Sequence, residues 1–153
     1  MKQFLVCALL AGMLLVPASV AQAKWERGYY SGKTADGAAT ASFEAGRRAV
    51  KSFAFNKLKI TCSDGIVRVS SQRDFVPMRV NATTGKFQGK SPGFAERLTV
   101  PVAFGIGVQG TLENGRARGK LHVFYRMSPE GSLSPTGSIT CDSGPRSWRA
   151  RTF

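Results

Sequence analysis

The stretch Gly115-Arg116-Ala117-Arg118-Gly119-Lys120-Leu121-His122-Val123-Phe124-Tyr125-Arg126 decides the fold class. Small or apolar residues at 117, 119, 121, 123 and 125 alternate with Arg116, Arg118, Lys120, His122, Phe124 and Arg126. A period of two is what an extended strand turns into two opposite faces, here an apolar inner one and a basic outer one. Asn114-Gly115 stands just before it and accepts the positive φ angles of a tight hairpin, so an antiparallel neighbour precedes this strand.

The same signals recur outward in both directions. Strands are predicted at about 25–34, 38–45, 49–62, 65–73, 78–90, 96–104, 106–113, 115–127, 136–142 and 146–152, with Asp36-Gly37 and Asp64-Gly65 as further turn dipeptides. No stretch carries a convincing helical period, and 17 glycines and seven prolines argue the same way. The fold class read from this is all-β: an antiparallel barrel or sandwich of about 8–10 hairpin-connected strands. In the sixth strand Leu98, Val100, Val102 and Phe104 make the inward face. Phe53 and Phe55 are out of phase with Leu58, Ile60 and Cys62, so a β-bulge at Asn56-Lys57 is needed to keep one core face. Ser128 to Pro135 is the longest ordered loop.

Two short words repeat. Gly28-Tyr29-Tyr30-Ser31-Gly32-Lys33, Gly85-Lys86-Phe87-Gln88-Gly89-Lys90 and Gly115-Arg116-Ala117-Arg118-Gly119-Lys120 share a Gly-x-x-x-Gly-Lys spacing. A phosphate-binding P-loop needs four residues between its glycines and a strand-loop-helix setting. Glycines at alternate positions of a strand instead let a ring lie over backbone and the sheet curl tightly. The second word, Ile60-Thr61-Cys62-Ser63-Asp64-Gly65 against Ile139-Thr140-Cys141-Asp142-Ser143-Gly144, describes two core strands that each end at a cysteine and a turn.

The chain opens with Lys2, an apolar run from Phe4 to Val16, Pro17 and Ala21-Gln22-Ala23, the layout of a cleavable signal peptide over residues 1–23. Residues 24–153 are then one exported domain, secreted or periplasmic. The leader's apolar run is shorter than the roughly 20 residues that span a bilayer, and no later transmembrane segment is expected. Cys7 leaves with the leader. Cys62 and Cys141 remain as an even pair bound for an oxidising compartment, which predicts one disulfide between them.

Gly28, Tyr30, Gly32 and Thr34 form a Gly-x-Tyr-x-Gly-x-Thr strand. Phe43, Phe53 and Phe55 lead to Cys62, and Cys141-x-x-Gly144 is followed by Trp148-x-Ala150-Arg151. In these features the chain resembles small secreted bacterial all-β proteins of uncharacterised function. The resemblance implies the fold and a disulfide and carries over no catalytic residue.

Chemistry is sparse. His122 is the only histidine and lies among Lys120 and Arg126 on the outer face, away from any carboxylate local in sequence, which leaves a catalytic triad without its parts. One histidine and two paired cysteines do not make a zinc site. Glu26, Glu44, Glu96, Glu113 and Glu130 read as solubilising charges, and Asp64 and Asp142 as turn residues. No enzyme activity, metal or cofactor is expected.

What remains is charge: 22 Lys and Arg against nine Asp and Glu, a net +13 of which Lys2 supplies one. Such an excess argues about partners rather than fold. The candidate binding residues are Arg116, Arg118 and Lys120 on one strand face, Lys57 with Lys59, and Arg149 with Arg151. The expected function is an extracytoplasmic binding module for an anionic envelope polymer or anionic protein. Specific nucleic-acid binding is not expected, because most aromatics fall on core faces, Phe124 and Tyr29 excepted. The alternatives are a hydrolase inhibitor that presents the Ser128 to Pro135 loop, and an apolar-ligand carrier if Tyr30, Phe53 and Phe55 leave the barrel hollow.

Overall fold

Period-two patterning becomes ten strands in the computed structural model, which describes residues 24–75, 77–91 and 103–153. They are β1 (Gly28–Thr34), β2 (Thr40–Ala45), β3 (Ala49–Cys62), β4 (Val67–Phe75), β5 (Met78–Arg79), β6 (Lys86–Lys90), β7 (Phe104–Glu113), β8 (Arg116–Met127), β9 (Ile139–Asp142) and β10 (Arg146–Thr152). All pairings are antiparallel. The ladder runs β10-β1-β2-β3-β9-β8, and β8 pairs back with β10 to close a six-strand barrel. β4 and β5 join β3 from outside that ring, and β7 followed by β6 extends from β8. Of the sixth predicted strand, the part up to residue 102, with Leu98, Val100 and Val102, lies outside the described residues; Phe104 opens β7. Residues 1–23, the expected leader, also lie outside them.

Two long strands organise the ring. One edge of β8 is shared, with residues 116–121 pairing to β10 and 124–127 to β9, while its other edge pairs to β7. β3 is used in the same way by β2 and β9, so β9 bridges the far ends of both. There Cys62 and Cys141 are direct cross-strand partners, their Cα atoms 3.9 Å apart, and are joined by the expected disulfide. Asp64 accepts from the Ile66 N–H at 3.0 Å and Asp142 from the Gly144 N–H at 2.8 Å, so the repeated Ile-Thr-Cys word does end in matching turns.

The bulge expected at Asn56-Lys57 is present: the β3–β4 register shifts between Phe55 and Leu58, and Lys57 has φ 60°. Phe53, Phe55, Leu58, Ile60 and Cys62 are consequently all buried. A second irregularity at Ser52, with φ 49°, does the same for Val50 and Phe53. Residues 78–90 do not form one strand as expected. The Asn81 side chain accepts from the N–H groups of Thr83 and Thr84, both at 3.0 Å, and this turn splits the segment into β5 and β6.

The core is aromatic. Tyr30, Phe43, Phe53, Phe87 and Trp148 form a cluster with neighbouring ring centroids 4.9–6.2 Å apart. Its wall sets two rings on either side of two glycines: Phe87, Gly110, Gly119 and Trp148 are consecutive cross-strand partners over β6, β7, β8 and β10. A Cβ at Gly119 would lie 1.9 Å from the Gln109 carbonyl and 2.6 Å from the Trp148 ring, so this position admits only glycine. The rings lie over bare backbone, which is the curl that the glycine words anticipate. The Trp148 indole N–H has no hydrogen-bond partner among the described residues, so ring packing alone positions it.

Candidate anion-binding surface

The strand that decides the fold also carries the site. Its inner residues Ala117, Leu121, Val123 and Tyr125 are buried, which turns Arg116, Arg118 and Lys120 outward. β10 runs beside it with Trp148 and Ala150 buried and Arg149 and Arg151 exposed. The register puts Arg118 opposite Arg149 and Arg116 opposite Arg151, and across β10–β1 it puts Arg149 opposite Lys33. Strands are spaced by about 4.8 Å and alternate residues by about 6.8 Å, so the four arginines form a rectangle of roughly those sides at the backbone. None of the four forms an ion pair among the described residues.

Polar neighbours border the rectangle. Thr111 faces Arg118, Gln109 faces Lys120 and Glu113 faces Arg116 across β7–β8, while Lys86 faces Thr111 across β6–β7. A line from Lys86 through Thr111, Arg118 and Arg149 to Lys33 therefore crosses five strands with one side-chain hydroxyl and four cations. Two open grooves lie along this face. One, of about 1310 Å³, is lined by Arg48, Arg79, Lys86, Arg118, Lys120 and Arg149 among others. The second, of about 1110 Å³, is lined by Arg116, Arg118, Arg149, Arg151 and Phe153 among others. Thr111, Arg118 and Arg149 line both, so the two are stretches of one track.

Two of the three basic groups expected from the sequence, the Arg116, Arg118 and Lys120 trio and the Arg149 and Arg151 pair, are thus adjacent, and the third is not. Lys59 faces Val69 across β3–β4, and the Lys57 N–H donates to Ser71 Oγ at 3.1 Å. β2 and β1 separate β3 from β10, which places both lysines outside the track. The structure adds Lys33, Arg48, Arg79 and Lys86. Lys33 and Lys86 sit in the repeated glycine words, but only strand pairing brings them to the arginines: β1 with β10, segments more than a hundred residues apart, for Lys33, and β6 with β7 and β7 with β8 for Lys86.

Two outer-face expectations change. His122 meets a carboxylate after all: its Nε2 lies 2.6 Å from Asp142 Oδ1, because the β8–β9 register sets Asp142 opposite Phe124. The adjacent Ser143 hydroxyl accepts from the Val123 N–H at 2.9 Å and donates to the Gly144 carbonyl at 2.7 Å, so it is committed to backbone. Phe124 is buried rather than presented to solvent; its cross-strand partner Gly105 leaves room beside the ring. Tyr29 is exposed as expected.

Among the described residues no three His, Cys, Asp or Glu side chains are placed to hold a metal ion, and no helix is long and apolar enough to cross a membrane. Comparison with protein families, curated proteins and solved structures finds no match to this chain.

Proposed function

We propose that the protein is an extracytoplasmic, non-enzymatic binding module whose ligand is an anionic polymer, seated on the outer face of β6, β7, β8, β10 and β1. The observation that carries this reading is the register of like charges, Arg118 on Arg149, Arg116 on Arg151 and Lys33 on Arg149. Like charges directly opposite one another destabilise a sheet, and the chain has carboxylates that it places elsewhere, as at Asp64–Arg68. A polyanion laid along the track supplies the missing counter-charges. The aromatic cluster that occupies the barrel interior favours an outer ligand over an apolar one held inside.

The test is retention on an anionic resin and on isolated cell envelope. Replacing Arg116, Arg118 and Lys120 together with Ser should move elution to clearly lower salt, with the slope of log affinity against log salt reduced by about one per cation lost. Unchanged retention would remove the named site. A second reading has its own observation: backbone hydrogen bonds from Ser128 to Ser132, Gly131 to Ser128 and Ser134 to Arg126 preform the Ser128 to Pro135 loop with Leu133 exposed. A preformed apolar loop suits a hydrolase inhibitor, and a protease panel that shows no inhibition sinks it.

A further inference from the structure

The track has more than charge in it. Between the cations stand groups that both donate and accept hydrogen bonds: Gln88 pairs with Gln109, Gln109 with Lys120, Lys120 with Ser147, and Thr111 with Arg118. A ligand with acceptors alone uses only half of what amides and hydroxyls offer; one rich in hydroxyl groups uses both. At one end of the track stands the stacked pair Tyr29 and Phe153, ring centroids 6.1 Å apart and planes at 17°. Phe153 lines the second groove, and the two residues are 54% and 92% exposed. An aromatic pair kept in water offers a flat apolar face with a polar border, the shape that the C–H face of a sugar ring covers.

From these features we infer that the ligand is an acidic polysaccharide lying along β8 and β10, with its acid groups on Arg116, Arg118, Arg149 and Arg151 and one sugar ring on the Tyr29–Phe153 pair. The inference rests on the anionic-polymer reading and narrows it. A single-stranded nucleic acid fits less well. Binders of that class place aromatic faces along the groove so that successive bases stack, and here Phe87 and Trp148, the rings beneath the track, are buried. A lipid surface fits less well too, since the exposed Ile66, Val67 and Val69 lie on and beside β4, joined to β3 rather than to the track.

The experiment compares the whole exported chain and two variants, Tyr29→Ala and the double substitution Arg118→Ser with Arg149→Ser. Each is titrated with oligogalacturonate and with an oligothymidylate of equal charge at several salt concentrations bracketing about 0.15 M, where exposed charges are screened beyond about 8 Å. The expected result is preference for the oligogalacturonate by wild type and a loss of roughly five- to tenfold for Tyr29→Ala with its salt slope unchanged, the mark of a contact that is not ionic. The double variant should lose affinity and salt slope together. Tyr29 is exposed, so its replacement leaves the fold intact, and Tyr29→Trp should restore binding. Equal or tighter binding of the oligothymidylate, or a silent Tyr29→Ala, overturns the polysaccharide inference while the anionic-polymer reading stands. Binding of neither polymer overturns both.

Discussion

The two ends of β8 treat charge in opposite ways. Toward Met127, where β9 bridges β8 and β3, carboxylates have partners: Asp142 lies 2.6 Å from the His122 ring nitrogen, and Arg68 grips Asp64 with contacts of 2.9 and 2.6 Å beside the turn that follows Cys62. Toward Arg116, where β10 takes over the same edge, cations face cations. One chain with few carboxylates has put some at the stapled end, while at the arginine rectangle Glu113, which faces Arg116, makes no ion pair among the described residues. Ion pairing serves structure at one end and is withheld at the other, where the partner is expected to bring it.

The largest effect available is at the stapled end. Replacing Cys62 and Cys141 together with Ala should lower unfolding free energy by about 4–5 kcal/mol in the chain-entropy account, given a closed loop of this length. Chemical denaturation measures it. Under native conditions the same variant should keep its retention on anionic resin, because the staple and the rectangle occupy different ends of β8. A loss of retention without unfolding would join the two regions that the comparison separates.

A smaller effect probes the matched charges. The hydrogen bond from the Arg68 guanidinium, with a lesser contribution from the Ile66 N–H, holds the Asp64 carboxyl down to about 2 from its ordinary 3.8. A lowered carboxylate contributes stability above its unfolded value and loses it as pH falls through the folded one. The contribution of Asp64 is therefore complete above about pH 5, falls mostly between about pH 4 and 2, and is gone near pH 1. Both partners reach solvent at the surface, so the effect is small. Asp64→Asn should unfold a little more easily at neutral pH and show a shallower loss of stability between pH 4 and 2. Acid-unfolding curves that coincide with wild type across that window would mean that the pair contributes nothing.

The legible parts of this molecule are those carried by local spacing. Alternation in β8 fixes which side chains point out, so Arg116, Arg118 and Lys120 are readable from one segment alone. The phase slip between Phe55 and Leu58 likewise demands its bulge within a few residues. The disulfide is readable because Cys7 falls within the expected leader, which leaves Cys62 and Cys141 as a pair. What is not legible depends on register between distant segments. Arg149 opposite Arg118, Lys33 beside Arg149, and Asp142 beside His122 are set by the pairing of β10 with β8 and β1 and of β9 with β8, across connections whose geometry local patterns do not encode. The hairpin at Asn81 had a signal, Asn-Ala-Thr-Thr-Gly, overridden by the apolar and aromatic residues on either side of it. Lys57 and Lys59 show the converse: an alternating basic pair like the others, placed by topology on a different wall.

The central claim is that the rectangle of arginines is kept for a ligand at some cost to the fold. Arg149→Glu tests it most directly, because that position faces both Arg118 and Lys33 and the substitution turns two repulsive pairs into attractive ones. The melting temperature and the retention on anionic polymer are measured on the same sample. The melting temperature should rise while retention falls sharply; a melting temperature that drops, or retention that stays as in wild type, contradicts a rectangle kept for a ligand.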